Sequence, residues 1–341
     1  MTENSHMQGW KGPTIKEVAR LAGLGPATVD RVLNNRPGVR EKTRNRVVAA
    51  LDKLSQENQG REEALDLRLF CESGTSFNAA MDAAADAVNR SLPGVRISGF
   101  YLTTREADPA LFARQIEQGG CGSDGVIVVA REHPAINAAL RKLGHQGVPV
   151  VCLTSDLPSS RRAAYVGNDQ YAAGSVAALL IGSRLSQNRA SILIVSSVPF
   201  RCQQERVMGF RRVLRSDFPH LRVQEQVIAN DDPETTHQQL ISHFRDHGVP
   251  LAIYNVAGAN RGIAWALEAL GRDRDPVFVG HELTPHSRDL LSSGVMDFVI
   301  SHDFTAELSQ AALWIRDAAR GVTVQPAASQ ILLHTKYNCA L

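Results

Sequence analysis

The sequence predicts a three-helix head followed by a larger α/β body, in which parallel sheets are flanked by helices in two similar lobes. Three observations carry that expectation. The chain has 341 residues, about two to three ordinary domains. Its first sixty residues hold closely spaced helix start and stop signals. From residue 65 onward, short apolar β-rich runs alternate with helical patterns, the arrangement that buries a parallel sheet between helices. Apolar residues make up 43 % and charged residues 21 %, which excludes a disordered or fibrous chain.

No apolar stretch reaches the ~18 residues that a membrane-spanning helix needs. Residues 1–13 are polar, lack the apolar run of a secretory signal, and are expected to be disordered. The five cysteines stand singly at 71, 121, 152, 202 and 339. A reduced, cytoplasmic protein without a zinc site or other cofactor is the economical reading. The net charge of +2 conceals an asymmetry. Residues 1–61 hold 11 Lys+Arg against 6 Asp+Glu, which is +5, whereas the remaining 280 hold 26 against 29, which is −3. A basic head in front of a mildly acidic body suggests a polyanion partner for the head.

Within the head, Thr14 and Glu17 have the spacing of a capping box, and Ile15, Val18, Ala19 and Ala22 fall on one helical face. Gly23-Leu24-Gly25 stops that helix, and Pro26 suits the first position of the next. In the second helix Val29, Val32 and Leu33 face inward. A turn over residues 34–38 precedes a third helix at about 40–54, with Val47, Leu51 and Leu54 inward and Lys42, Arg44 and Arg46 largely outward. Two short helices joined by a glycine turn, with a third completing the core, form a helix-turn-helix module over residues 14–55.

The segment TIKEVARLAGLGPATVDRVLNNRPGVREKTRNRVVAALDKL closely resembles the DNA-binding head of the lactose-repressor (LacI/GalR) family over about forty positions. The resemblance implies that the second helix enters the major groove of double-stranded operator DNA. Thr14, Pro26, Ala27, Thr28, Asp30, Arg31, Asn34 and Arg40 are the candidate DNA-contacting residues. Arg31 can make two parallel hydrogen bonds to a guanine edge. Thr28 suits a phosphate, while Pro26 and Ala27 offer only van der Waals contact, for instance to a thymine methyl. Asp30 departs from the family, where serine is common. It repels phosphate, reads a cytosine amino group, or orients a neighbouring arginine. Residues 56–64 lack the family's tyrosine–proline–asparagine hinge signature and carry the acidic pair Glu62-Glu63, so a polar tether is expected there.

In the body, candidate strands lie at 67–71, 95–102, 125–129, 148–153 and 165–167, and again at 191–196, 223–228, 251–255, 277–280 and 295–300. No glycine-rich nucleotide loop follows any of them. This part looks like a periplasmic-binding-protein-type sugar domain, the usual body of lactose-repressor relatives. The resemblance implies one lobe from about 65–186 and 300–325, and a second from about 187–299 and 326–341. A ligand cleft is expected at the carboxyl ends of the strands. The candidates there are Phe77 and Asn78 after the first strand, Arg131 after the third, Arg206 in an R-x-x-G-F pattern, Asn255, Glu282 and His302. Relatives often have aspartate at the position of Glu282 and glutamine at that of His302. A ring stacked on Phe77, with amides, Arg206 and Glu282 on hydroxyls, suits a sugar, sugar acid or polyol.

His237, His243 and His247 contain an i, i+4 pair but no recognisable zinc motif, which favours a solvated helix. No hydrolase elbow or paired acid/base arrangement appears, so an enzyme is not expected. The expectation is a ligand-responsive regulator, most simply a repressor, that binds a palindromic operator as a homodimer. The alternative is a solute-binding protein of a sugar transporter.

Overall fold

A computed structural model describes residues 14–33, 36, 38–59, 64–185, 190–271 and 276–339, and the chain divides at Ala64 into two compact units. The first unit contains α1 (Ile15–Ala22), α2 (Pro26–Leu33) and α3 (Glu41–Gln59). The capping box forms: Glu17 N donates to Thr14 Oγ1 at 3.3 Å, and Thr14 N donates to Glu17 Oε2 at 2.7 Å. Gly23 ends α1 in the left-handed region at φ 61, where a side chain would be strained. Arg46, expected to point outward, instead donates to the Ala22 carbonyl at 2.6 Å and ties α3 to the end of α1. Val18, Ala19, Ala22, Val29, Val32, Val47 and Ala50 fill the core.

The third helix is longer than expected. Residues 56–59, assigned to the tether, continue α3 to Gln59, because nothing from Ser55 onward breaks a helix until Gly60. Asn34 and the side chain of Leu54 lie outside the described residues, as do residues 1–13 and 60–63 of the expected terminal segment and tether.

The second unit holds two sheets. The first comprises β1 (Leu65–Ser73), β2 (Val95–Thr103), β3 (Gly125–Val129), β4 (Val150–Leu153) and β5 (Ala164–Val166), all parallel in the order β2-β1-β3-β4-β5. Its connecting helices are α4 (Thr75–Ser91), α5 (Pro109–Gly120) and α6 (Pro134–His145). Alternation along the strands sorts the core into two layers. Leu67, Leu69, Ile127 and Val151 pack under α4, whereas Phe70, Val126, Val128 and Val150 pack under α5 and α6.

The chain then forms α7 (Gln170–Arg184), β6 (Ser191–Ser196), α8 (Arg201–Asp217), β7 (Arg222–Ile228), α9 (Pro233–His247), β8 (Ala252–Asn255) and α10 (Asn260–Ala269). Next come β9 (Val277–His281), α11 (Pro285–Ser292), β10 (Phe298–Ser301), α12 (Phe304–Ala319) and β11 (Leu332–His334). The second sheet is ordered β11-β10-β9-β8-β6-β7, parallel except for β11, which runs antiparallel to β10. Helices α5 and α11 and strand β11 go beyond the sequence reading.

Three chain passages join the lobes, and one differs from expectation. The first exchange was placed near 186 but lies just before α7. That helix packs Ala173, Ala177, Ala178 and Ile181 against Phe210 and Leu214 of α8, beneath the second sheet. The second passage links β10 to α12, whose Leu308, Ala311, Ala312 and Ile315 lie in the core of the first sheet. The third precedes β11, where Ser329 bridges Asn168. No helix among the described residues is long and apolar enough to cross a membrane.

Candidate functional site

In the head, Pro26, Ala27 and Arg31 are exposed on α2, and Thr28 and Asp30 are half-buried beside them. Arg36 donates from Nη1 to Asp30 Oδ2 at 3.2 Å, so the carboxylate engages an arginine just beyond the helix. Arg40 is exposed ahead of α3. Thr14 is committed as the cap of α1, its hydroxyl lying 2.8 Å from Glu17 Oε2.

In the body, a cavity of about 270 Å³ opens between the two sheets at the carboxyl ends of their strands. It is close to the lower end of the ~300–1,000 Å³ range of small-molecule sites. The first lobe contributes the turn from Ser73 to Phe77, together with Thr154 and Ser155. The second lobe contributes Gln203 and Arg206 of α8, the loop from Asp231 to Glu234, residues 256–261, and His281, Glu282 and Thr284.

Arg206 owes its depth to two glycines. A Cβ at Gly174 of α7 would lie 1.9 Å from the Arg206 carbonyl oxygen, and one at Gly209 would lie 2.0 Å from that of Tyr171. The two helix backbones therefore touch, which accounts for the glycine of R-x-x-G-F. The phenylalanine of that pattern, Phe210, stacks on Tyr254 at 4.5 Å. Arg206 donates to Gln170 Oε1 at 2.7 Å, the Val256 carbonyl at 3.0 Å and Glu282 Oε1 at 3.1 Å. The compensating partner that a buried arginine requires is Glu282.

Glu282 meets a second cation. His302 Nε2 lies 3.2 Å from Glu282 Oε2, and His302 Nδ1 lies 2.8 Å from Glu307 Oε2. Burial alone would oppose the imidazolium, yet the two carboxylates push its pKa up to about 10. Burial likewise works to raise the Glu282 pKa, but His302 and Arg206 outweigh it and hold it at about 2. His281, hydrogen-bonded to the Tyr254 hydroxyl at 2.9 Å, is pushed well below its ordinary value by burial and by Arg206.

A third buried carboxylate was not foreseen. Asp231 accepts from Gly258 N at 2.7 Å and from the Thr104 hydroxyl of the first lobe at 3.1 Å. Burial raises its pKa. Thr154, Asp231, Ala259 and Glu282, all lining the cavity, have φ between 56 and 66. Such left-handed non-glycine residues cost energy and concentrate at ligand-holding sites.

Of the seven residues expected in the cleft, Phe77, Arg206 and Glu282 line one cavity. Phe77 also packs edge-on to Phe304 at 4.9 Å. His302 stands behind Glu282, and Arg131 binds Glu72 and the Thr104 carbonyl, so neither lines the cavity. Two further expectations need correction. Asn78 donates to the Ser73 and Leu102 carbonyls at 3.3 and 3.0 Å and accepts from the Cys71 thiol. Asn255 donates to the Gly258 carbonyl at 2.7 Å and to Asn260 Oδ1 at 2.6 Å. Both amides are buried and spend their hydrogen bonds on the loops that shape the cavity, as buried amides must. The amide nearby that does line it is that of Asn260. His243 and His247 stack at 4.6 Å, and no cluster of three metal-ligating side chains occurs among the described residues.

Residues 14–56 match the bacterial regulatory proteins of the lacI family, and residues 70–322 match the periplasmic binding protein domain. The chain's body belongs to the periplasmic binding protein domain family, and its head is a lacI-family domain. The chain is 28 % identical over 279 residues to the HTH-type transcriptional regulator MalR of Streptomyces coelicolor, covering 76 % of itself and 69 % of that relative. Its body has the fold of GanP, a glucose-galactose binding protein from Geobacillus stearothermophilus. The TM-score is 0.72 at 22 % identity, over 82 % of this chain and 100 % of that one. An ABC transporter solute binding protein from Burkholderia graminis, in complex with D-arabinose, gives a TM-score of 0.74 at 17 % identity, over 81 % and 97 %.

Proposed function

We infer that this protein is a ligand-responsive transcription regulator, acting as a repressor in the cytoplasm. It binds a palindromic operator as a homodimer and senses a sugar, sugar acid or polyol in the cleft between its lobes. The observation that carries the reading is the union, in one chain, of a lacI-family head with a strained polar cavity built around Arg206 and Glu282. Vicinal hydroxyls suit that pair, because the arginine donates while the carboxylate accepts. Proteins of similar fold take ligands of the same class: glucose and galactose, D-arabinose, and in a further case myo-inositol.

On the DNA, Arg31 reads a base edge, Thr28 and Arg40 hold phosphates, and Pro26 and Ala27 select by shape. Thr14 and Asn34 complete the proposed contact set. Arg36, drawn to Asp30, gives that acid an orienting role. Ligand favours one arrangement of the lobes and thereby changes operator affinity, which is a coupling between two sites.

The likeness of the body to transporter binding proteins favours a second reading, a solute carrier. Binding to DNA separates the two. In mobility-shift titrations against a palindrome upstream of its own gene, the regulator prefers that site over random DNA by about 10³-fold or more at physiological salt. A panel of sugars, sugar acids and polyols then alters that affinity. Equal affinity for the palindrome and for random DNA sinks the regulator reading.

A further inference from the structure

Asp231 is 6 % exposed in the cavity wall, and both of its carboxylate oxygens accept hydrogen bonds from neutral donors, Gly258 N and the Thr104 hydroxyl. Among the described residues it makes no ion pair. Arg131, whose charge favours the Asp231 anion, and Arg105 are both paired with other carboxylates. Arg131 is bound to Glu72 and the Thr104 carbonyl, and Arg105 pairs with Asp232 at 3.4 Å. A buried carboxylate left in that state is costly unless a positive charge joins it.

The lining as a whole has the same bias. It carries the carboxylates Asp231, Asp232, Glu234 and Glu282 against two arginines, Arg206 and Arg261. Arg206 is already neutralised by Glu282, whereas Arg261, over the Trp265 ring at 4.7 Å, makes no ion pair among the described residues. A ligand carboxylate would enter beside Glu282 and Asp231 with Arg261 as its one available guanidinium, against four carboxylates in the lining. One further group points to a ligand independently of charge. Thr154 Oγ1, on a cavity-lining residue 3 % exposed, has no hydrogen-bond partner. A buried hydroxyl in that state is what a polyhydroxy molecule satisfies.

We propose that the ligand of this cleft is an amino sugar, its ammonium seated on Asp231 and its hydroxyls on Arg206, Glu282 and Thr154. The inference rests on the reading of the cleft as a polyhydroxy-ligand site and narrows that class. It places neutral sugars second and sugar acids last. Asp231 is the residue that distinguishes them, since a hydrogen bond between two charged groups is worth more than one to a neutral hydroxyl.

The test is calorimetric titration of the full-length protein, at neutral pH, with three matched trios: D-glucosamine, D-glucose and D-glucuronate, and their galacto and manno counterparts. Within any trio that binds, the amine is expected to bind about tenfold tighter than the neutral sugar, and the uronate weakest. Asp231→Asn brings the amine-to-neutral ratio to about one. Equal or tighter binding of the neutral sugar or the uronate overturns the proposal, as does an unchanged ratio in the variant. Should the variant not fold, the wild-type ratios still decide. Binding of none of the nine, by a protein that still recognises its operator, overturns this inference while leaving the DNA-binding reading intact.

Discussion

Glu282 and Asp231 are carboxylates buried in the wall of the same cavity, and the fold treats them in opposite ways. Glu282 lies between Arg206 at 3.1 Å and His302 at 3.2 Å, and the cations hold its pKa at about 2. Asp231 has a hydroxyl and a backbone amide, and burial raises its pKa. The first is a finished ion network belonging to the second lobe and the passage into α12. The second stands where the lobes meet: a Cβ on Gly74 of the first lobe would lie 3.0 Å from it. A charge settled within the protein fixes the shape of a site. A charge left unsettled is available to select what enters.

That comparison is broken most severely at Arg206. Arg206→Met strands Glu282, Gln170 and the Val256 carbonyl together, and breaking a buried pair costs about 3–5 kcal/mol. Urea denaturation of the variant should show that loss; a change near zero would mean that His302 alone suffices for Glu282. The next effect is on pH dependence. His302 has its native pKa raised from 6.5 to about 10, so its contribution is fully present below 6.5 and is lost as pH rises towards 10. The unfolding midpoint therefore falls across that window, and His302→Gln flattens the fall. If the variant declines as steeply as the parent, another group is titrating.

Asp231→Asn is expected to be smaller and opposite in sign. A carboxyl whose native pKa is raised destabilises the folded state once ionised, so the amide should stabilise the unliganded protein at neutral pH. A lower midpoint would show that Thr104 and Gly258 hold the anion better than burial penalises it. Smallest of all is the exposed pair in the head. Asp30→Ser loses the bond to Arg36 but should change stability by no more than about 0.5 kcal/mol. Its effect belongs to DNA: tighter binding to all sequences means plain repulsion, whereas loss confined to the operator means that Asp30 orients Arg36.

Much of this arrangement was legible in the residues. The strands were, because the residues on each face of a buried parallel sheet alternate between two helix layers, as Val126 and Ile127 do. Arg206 was, through its R-x-x-G-F pattern, and Glu282 was, because it follows a strand at the ligand-binding edge. Strand β11 was not: three residues paired antiparallel at a sheet edge carry no period. The first passage between lobes was misplaced because α7 is apolar nearly all round, so its pattern does not say which sheet it covers. Asp231 was hidden beside Asp232-Pro233, which reads as a helix cap, and Asp232 does cap α9 through the Thr235 amide. Its decisive partner, Thr104, lies 127 residues away. Asn78 and Asn255 misled for the converse reason, since a strand-end amide serves a loop as readily as a ligand.

His302 has a further significance through its address. It follows β10, a strand of the second sheet, and immediately precedes α12, a helix packed on the first. Of the two carboxylates that hold its proton, Glu282 belongs to the second lobe and Glu307 rides on α12. The imidazolium is thus a rivet between the lobes, gripped from one side by Glu282 and from the other by Glu307. A carboxylate in the cavity wall and a helix under the other sheet share one proton, so the joint between the lobes is electrical as well as covalent.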